Sequence, residues 1–180
     1  NLTAPAIALI TAISGMLATG GSAVVMKKMG EHREQEARQD FTLLILTNAV
    51  VGAVMMLLGY TLMDTLLGTM GLSPAVFGYC HTYLSNYLLF TIPILLMYNF
   101  SLYLIAADKS TLSLICTVAG GVTNIILDYV LIALFDMGIQ GAAIATGLGY
   151  SITAVVGFLV FQKQDSLLHF EKPVFRGGVL

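Results

Sequence analysis

Residues 124–146 read NIILDYVLIALFDMGIQGAAIAT, which is two apolar runs joined by a short polar turn at residues 136–140. Neither run shows the strict alternation of polar and apolar residues that marks a membrane β-strand. Both runs continue beyond these residues until they reach the length of about 20 apolar residues that crosses a bilayer as a helix. The segment therefore predicts two antiparallel transmembrane helices joined at one face of a membrane.

The composition of the whole chain agrees with this prediction. Of 180 residues, 57% are hydrophobic and only 10% are charged, and the mean hydropathy is +0.87. An ordinary soluble domain carries about 25% charged residues, so the composition excludes a soluble globular domain and a disordered chain. The net charge of −2 provides no basic field that would attract nucleic acid, which excludes that class of partner.

The sequence contains no motif for covalent or metal-dependent catalysis. Two cysteines are too few for a disulfide framework or a thiolate metal site. A His-Glu-x-x-His helix, a phosphate-binding loop and a Ser-His-Asp arrangement at membrane depth are all absent from the sequence. The sequence therefore predicts a membrane protein that is not an enzyme and that needs no cofactor.

Five apolar segments are long enough to cross a bilayer, and they predict an all-α, polytopic transmembrane helix bundle. The segments cover about residues 4–26, 41–63, 83–107, 112–135 and 141–161. A charged loop with a short turn or helix is expected at 27–40, and a second loop is expected at 64–82. Pro93 lies within the third segment and is expected to kink that helix, because proline removes a backbone hydrogen bond.

The basic residues predict the orientation of these spans. With five spans, every Lys and Arg falls on one side of the membrane: Lys27, Lys28, Arg33, Arg38, Lys109, Lys163, Lys172 and Arg176. The positive-inside rule then predicts that the loops at 27–40 and 107–111 and the C-terminal tail are cytoplasmic, in a multi-pass protein of the cell membrane. Asn1 would lie outside without a signal peptide before it, so we expect a preceding helix that makes this chain the last five helices of six.

One acidic residue, Asp128, lies well inside a span, about 10 Å below its outer end. Asn124 lies one turn deeper on the same face, and Thr146 on the next span lies at a depth similar to that of Asp128, so the three side chains are expected to converge on one cavity. Carboxylate, amide and hydroxyl oxygens suit Na⁺, and a desolvated carboxylate could instead take up a proton. An intramembrane acid is a candidate functional residue, so these three residues predict a cation site. The alternative is a structural Asp128 that forms hydrogen bonds with Asn124 or Tyr129.

Three other patterns predict packing rather than chemistry. Asn48 and Asn99 lie within spans and are expected to form interhelical hydrogen bonds. The small residues Gly141, Ala145 and Gly149 recur every four positions and are expected to let two helix backbones approach closely. The charged residues between the first two spans are expected to form a solvated face that includes Glu31, Glu34, Glu36 and Asp40.

Three segments of the chain resemble multidrug and toxic-compound extrusion transporters. Residues 20–30 and the following charged residues 31–37 resemble the end of the second helix of that family and the loop after it. Pro93 followed by residues 107–109 resembles the fourth helix and its exit loop, although the family usually has Gly at the position of Ala107. Residues 124–146 resemble the fifth helix and the start of the sixth, and this is the most specific of the three similarities.

The resemblance implies that residues 1–180 form a partial N-terminal lobe without its first helix, within a fold of twelve helices in two lobes. Such transporters exchange Na⁺ or H⁺ for organic cations and other amphipathic drugs across the lipid bilayer. The implied partners of this chain are its first helix and a C-terminal lobe. In archaeal and bacterial members, a cation site uses an acid on the first helix, Asn and Asp on the fifth and Thr on the sixth. Asn124, Asp128 and Thr146 match the last three, and the first acid is absent here.

Two other functions remain open at this point. A flippase for lipid-linked oligosaccharides belongs to the same superfamily, but its cavity tends to be strongly basic, and the spans predicted here contain no Lys or Arg. A non-transporting membrane scaffold would make Asp128 structural. The sequence leaves the drug and the choice between Na⁺ and H⁺ undetermined.

Overall fold

The computed structural model describes residues 2–163 and 166–174, and these residues form helices and no strand. The helices are α1 (Ala4–Gly30), α2 (Glu34–Thr69), α3 (Pro74–Leu88), α4 (Thr91–Ala106), α5 (Ser110–Asp128) and α6 (Gly138–Phe161). A π-helical segment, Tyr129–Leu134, continues α5 directly. The all-α fold class is therefore confirmed.

Four of the helical segments are long and apolar enough to cross a membrane, and α3 with α4 makes a fifth if the pair is one span bent by 52°. The bend lies at Leu89 and Phe90, between the two helices. Proline at position 93 has no N–H for the carbonyl of Leu89, and its ring crowds that carbonyl. The backbone N–H of Phe90 instead donates to the carbonyl of Tyr87 at 3.0 Å. The predicted kink is confirmed, one turn before Pro93.

The connecting loops are much shorter than predicted. The loop expected at 27–40 is a turn at residues 31–33, because α1 continues to Gly30 and α2 begins at Glu34. The segment expected as a loop at 64–82 is mostly helical, because only residues 70–73 lie between α2 and α3. Hydrophobicity marks only the part of a helix inside the bilayer core, and Pro74 in the first turn of α3 begins that helix well before its apolar part.

Glycines on α6 hold this helix close to several neighbours. A Cβ atom at Gly149 would lie 2.8 Å from the carbonyl oxygen of Gly120 on α5. A Cβ atom at Gly157 would lie 2.5 Å from the Phe100 side chain on α4. The predicted small-residue stripe is buried throughout, so its expected packing role is confirmed.

The basic residues in the described part of the chain lie at one end of the bundle. The C-terminal ends of α1, α4 and α6 meet the start of α2 there in one apolar cluster, which includes Phe41 and Phe161. The segment 166–174 folds back over this end, and the Phe170 ring stacks on the Phe41 ring at 5.3 Å. We call this end the basic end. Arg176 lies outside the described residues.

One ion pair at the basic end contradicts the expectation of a solvated charged face. Asp40 is 1% exposed and forms an ion pair with Lys28, which also lies 3.6 Å from Glu36. Because α1 and α2 form a tight hairpin, their charged ends face each other, and Asp40 turns inward instead of toward water. Glu31 and Glu34 are exposed as predicted.

Candidate functional site

The site begins where α5 and α6 cross with their backbones in contact. A Cβ atom at Gly120 would lie 2.7 Å from the carbonyl oxygen of Gly149, closer than real Cβ atoms come to other atoms. A close crossing of this kind requires glycine on both helices. The crossing brings two neighbouring side chains within reach of each other: Asn124, one turn from Gly120 on α5, and Thr146, one turn from Gly149 on α6.

Asn124 and Thr146 are in contact, whereas the sequence placed Thr146 at the depth of Asp128. The Asn124 side-chain Nδ2 donates to Thr146 Oγ1 at 3.4 Å, and the Thr146 hydroxyl donates to the carbonyl of Ala142 at 2.9 Å. The Asn124 amide oxygen accepts no hydrogen bond from any described residue. Both side chains are partly buried. An amide oxygen and a hydroxyl oxygen are therefore available at the same point between two helices.

Asp128 lies one turn from Asn124, where α5 gives way to the π-helical segment. Its Oδ1 atom is buried and has no hydrogen-bond partner among the described residues. Asp128 is close enough to Tyr83 on α3 for their side chains to interact electrostatically. The structural alternative required a hydrogen bond to Asn124 or Tyr129, and the described residues form neither. Short π-helical segments often occur at functional sites, and this one begins directly after the acid.

A cavity of about 310 Å³ extends along the seam between α5 and α6, and Met97 of α4 also lines it. Asn124 and Thr146 line it, whereas Asp128 is not among its lining residues. The structure therefore places Asn124 and Thr146 at the cavity wall and Asp128 one turn farther from the basic end. Among residues 2–163 and 166–174, no Lys or Arg lines the cavity.

Three other polar residues line this cavity, and reasoning from the sequence missed them. They are Thr117, Tyr150 and Thr153. Thr117 is seven residues before Asn124, and Thr153 is seven residues after Thr146, a spacing that places both on the same helix faces as the predicted site. This heptad spacing is the signal that could have identified them.

A cation at this site would depend on one carboxylate and on neutral oxygens. Within residues 2–163 and 166–174, no three His, Cys, Asp or Glu side chains lie close enough to hold a metal ion. Divalent metal sites usually need more than one charged or imidazole ligand. The residues present fit a monovalent ion or a proton better than a divalent metal.

The other intramembrane amides have the packing role that was expected. Asn99 Nδ2 donates to Asn48 Oδ1 at 2.9 Å, and both side chains are buried between α2 and α4. Neither residue lines the cavity beside Asn124. The prediction of interhelical hydrogen bonds at Asn48 and Asn99 is therefore confirmed.

The chain is similar to known transporters in sequence and in fold. The multidrug export protein MepA of Staphylococcus haemolyticus is 22% identical over 170 residues, which are 94% of this chain and 38% of that protein. The inward-facing structure of a multidrug resistance MATE family transporter of the MOP superfamily superposes with a TM-score of 0.92 at 20% identity, covering 99% of this chain and 41% of that one. The Vibrio cholerae MATE transporter VcmN in the bent form gives a TM-score of 0.79 at 27% identity, covering 87% and 36%.

The chain thus spans about two fifths of the length of these proteins. A family model described as MatE matches residues 1–130, which is more than two thirds of the chain. The fold and the sequence point to the same group of membrane proteins. The chain therefore belongs to the MatE family, the multidrug and toxic-compound extrusion transporters.

Proposed function

We propose that this chain forms the N-terminal lobe of a secondary multidrug antiporter, in which influx of Na⁺ or H⁺ drives export of organic cations and other amphipathic drugs. The observation that carries the proposal is the unpartnered, buried carboxylate oxygen of Asp128, one turn from the contact between Asn124 and Thr146. Asp128 is partly exposed, but an acid with one buried and unpartnered oxygen is costly to keep in a membrane, so a bound cation is the natural occupant.

Each of the three residues has a separate role in the proposed site. Asp128 supplies the negative charge that attracts the coupling cation or takes up the proton. Asn124 contributes its free amide oxygen, and Thr146 contributes a hydroxyl oxygen whose proton is already donated to the carbonyl of Ala142. Because the Thr146 proton is used within its own helix, its oxygen acts as an acceptor on the side of Asn124, where one lone pair accepts from Asn124 Nδ2 and the other is left for the cation.

Coupling follows from the position of the site at the crossing of α5 and α6. Binding a cation or a proton neutralises the carboxylate of Asp128. This lowers the free-energy cost of holding the Asp128 side chain between α5 and its neighbours. The π-helical segment after Asp128 has weaker backbone geometry than an α-helix and is the element best placed to rearrange. Drug and cation would then occupy the lobe in turn. The loops at residues 31–33 and 107–109 would lie in the cytoplasm.

The cavity chemistry favours this function over a flippase. A lipid-linked pyrophosphate requires cationic side chains, whereas the cavity is lined by hydroxyl, amide, methionine and glycine groups without Lys or Arg. A mostly apolar wall with a few polar groups suits an amphipathic ligand. MepA, the relative named above, is a multidrug export protein, which agrees with this substrate class.

The test is gradient-driven transport of a fluorescent organic cation by the complete transporter in proteoliposomes, with Na⁺ and pH gradients imposed separately. Asp128→Asn is expected to lower the rate at least tenfold, because an amide can neither bind Na⁺ by charge nor exchange a proton. The matched control is Asp136→Asn on the same hairpin, where the side chain is exposed and φ is 53°, a conformation that Asn tolerates. Full transport by Asp128→Asn would contradict the proposal.

A further inference from the structure

Residues 166–174 form a strap that crosses the basic end of the bundle and joins α6 to α2. The backbone N–H of Phe170 donates to the carbonyl of Phe161, the last residue of α6, at 3.0 Å. The next backbone N–H, that of Glu171, donates to Oγ1 of Thr42 on α2, also at 3.0 Å. Two consecutive N–H groups of the strap are therefore bonded to two different helices.

Apolar side chains of the strap pack on the same two helices. Leu168 is fully buried in the apolar cluster of the basic end. The Phe170 ring stacks on Phe41 of α2 at 5.3 Å and tilts against Phe158 of α6 at 5.4 Å. The rings of Phe41 and Phe161 also meet directly, with centroids 5.0 Å apart. The strap thus covers the place where α2 and α6 come together at this end.

The strap is built so that it can leave the bundle without unfolding a helix. Residues 166–174 contain no helix or strand, so their release breaks no regular backbone structure. The bond from Arg38 Nε to the carbonyl of Leu167, at 3.1 Å, lies at the surface, where water can replace it. The Ser166 hydroxyl oxygen is buried and has no hydrogen-bond partner among the described residues, and release would let water satisfy it. This unsatisfied group opposes the burial of Leu168 and Phe170, which favours docking.

The position of the strap makes it a constraint on motion. A transporter that exposes its site to the two sides of the membrane in turn must separate helices at each end in one of its conformations. Because adjacent N–H groups of the strap are bonded to α2 and to α6, separating these helices at the basic end breaks at least one of the two bonds. The strap must therefore detach from one helix before the other can move away.

We propose that residues 166–174 are a latch, docked in this conformation and released when α2 and α6 separate to open the basic end. The inference rests on the proposed antiporter function and identifies the segment that controls opening at this end. The contrary possibility is a strap that stays docked through the whole transport cycle and only stabilises the fold.

The first test locks the latch with a disulfide in the complete transporter, in a cysteine-free background that includes Cys80→Ala and Cys116→Ala. The contact between Glu171 N and Thr42 Oγ1 places the two Cα atoms within reach of a disulfide, so Thr42→Cys with Glu171→Cys is the pair. Oxidation is expected to slow gradient-driven drug transport in proteoliposomes at least about tenfold, because a conformation needed in each cycle is lost. Reduction is expected to restore the rate, and each single-cysteine variant under the same oxidant is the control.

The second test follows release without a cross-link. Leu168→Cys and Leu104→Cys place a thiol at two fully buried leucines of the same apolar cluster, one on the strap and one on α4. A water-soluble maleimide is expected to label Leu168→Cys at least about fivefold faster during transport than at rest, since release is a minor state at rest. Leu104→Cys is expected to stay protected in both conditions, which separates release of the strap from general opening of the cluster.

Two results would overturn the latch: cross-linked protein that transports drug as fast as its reduced form, or labelling of Leu168→Cys that is no faster during transport than at rest. Either result, with drug transport intact in the cysteine-free parent, would leave the antiporter proposal standing. A parent that transports no drug under either gradient would reject the drug antiporter. Labelling of Leu168→Cys under the ion gradient alone would then still decide whether the strap is released.

Discussion

Adjacent glycines on α5 offer a direct test of the helix crossing that builds the site. A Cβ atom at Gly120 would lie 2.7 Å from the carbonyl oxygen of Gly149, whereas a Cβ atom at Gly121 would meet no neighbouring atom within 4 Å. Both lie in the middle of α5, so alanine brings the same gain in helix propensity at each, about 1 kcal/mol. The difference in stability between Gly120→Ala and Gly121→Ala therefore isolates the crossing.

The size of the effect follows from the distances. An ordinary contact for a Cβ atom begins near 3.4 Å, so Gly120→Ala must push the two backbones apart by about 0.7 Å. A backbone carbonyl cannot rotate away as a flexible side chain does. Overpacking of this kind costs about 1–3 kcal/mol. The same displacement would lengthen the Asn124–Thr146 contact of 3.4 Å beyond hydrogen-bonding distance.

The assay is thermal unfolding of the complete transporter in detergent, followed with a thiol-reactive dye that labels buried cysteines on unfolding. Cys116 on α5 is buried and free in the folded chain, so it reports on this region. Gly120→Ala is expected to unfold at a lower temperature than Gly121→Ala and to transport drug more slowly. Equal unfolding temperatures for the two variants would refute the close crossing of α5 and α6.

Two further predictions concern polar pairs away from the cavity. Asp40→Asn leaves Lys28 without its buried partner and is expected to lower the free energy of unfolding by about 3 kcal/mol. The control is Glu34→Gln, which removes an exposed ion pair. This variant is expected to change the free energy of unfolding by less than about 1 kcal/mol in the same thermal assay. Asn48→Leu removes the acceptor of the Asn99 hydrogen bond and is expected to cost about 0.6–1.7 kcal/mol without changing the apparent affinity for the coupling ion in transport measurements. A large change in ion affinity in that variant would show that the pair belongs to the cation site.

The predicted spans and the kink at Pro93 agree with the structure because both depend on local chemistry. A run of apolar residues of bilayer length has few alternatives to a helix, and proline disrupts a helix wherever it stands. The helix ends were predicted less well. Glu34 and Pro74 begin helices outside the apolar runs, where capping and proline geometry decide the boundary and hydropathy carries no signal.

The candidate site was predicted in part. That Asn124, Asp128 and Thr146 lie near one another follows from two antiparallel helices joined by a short turn, but the sequence placed Thr146 level with Asp128, and the packed helices place it level with Asn124. Thr117, Tyr150 and Thr153 were missed because only the packed arrangement of α4, α5 and α6 shows which side chains line the cavity. Asp40 was misjudged because its partner, Lys28, is on another helix.

The sequence by itself predicted the membrane environment, the all-α bundle of apolar helices and a lone acid within one of them, since these depend on composition and on the length of apolar runs. The tertiary structure alone decided which faces meet. The glycines of α5 and α6 could have faced lipid, and packing instead placed Gly120 against Gly149. That contact brings Asn124 and Thr146 together at the wall of one cavity, because the space between helices is set only when their side chains pack together.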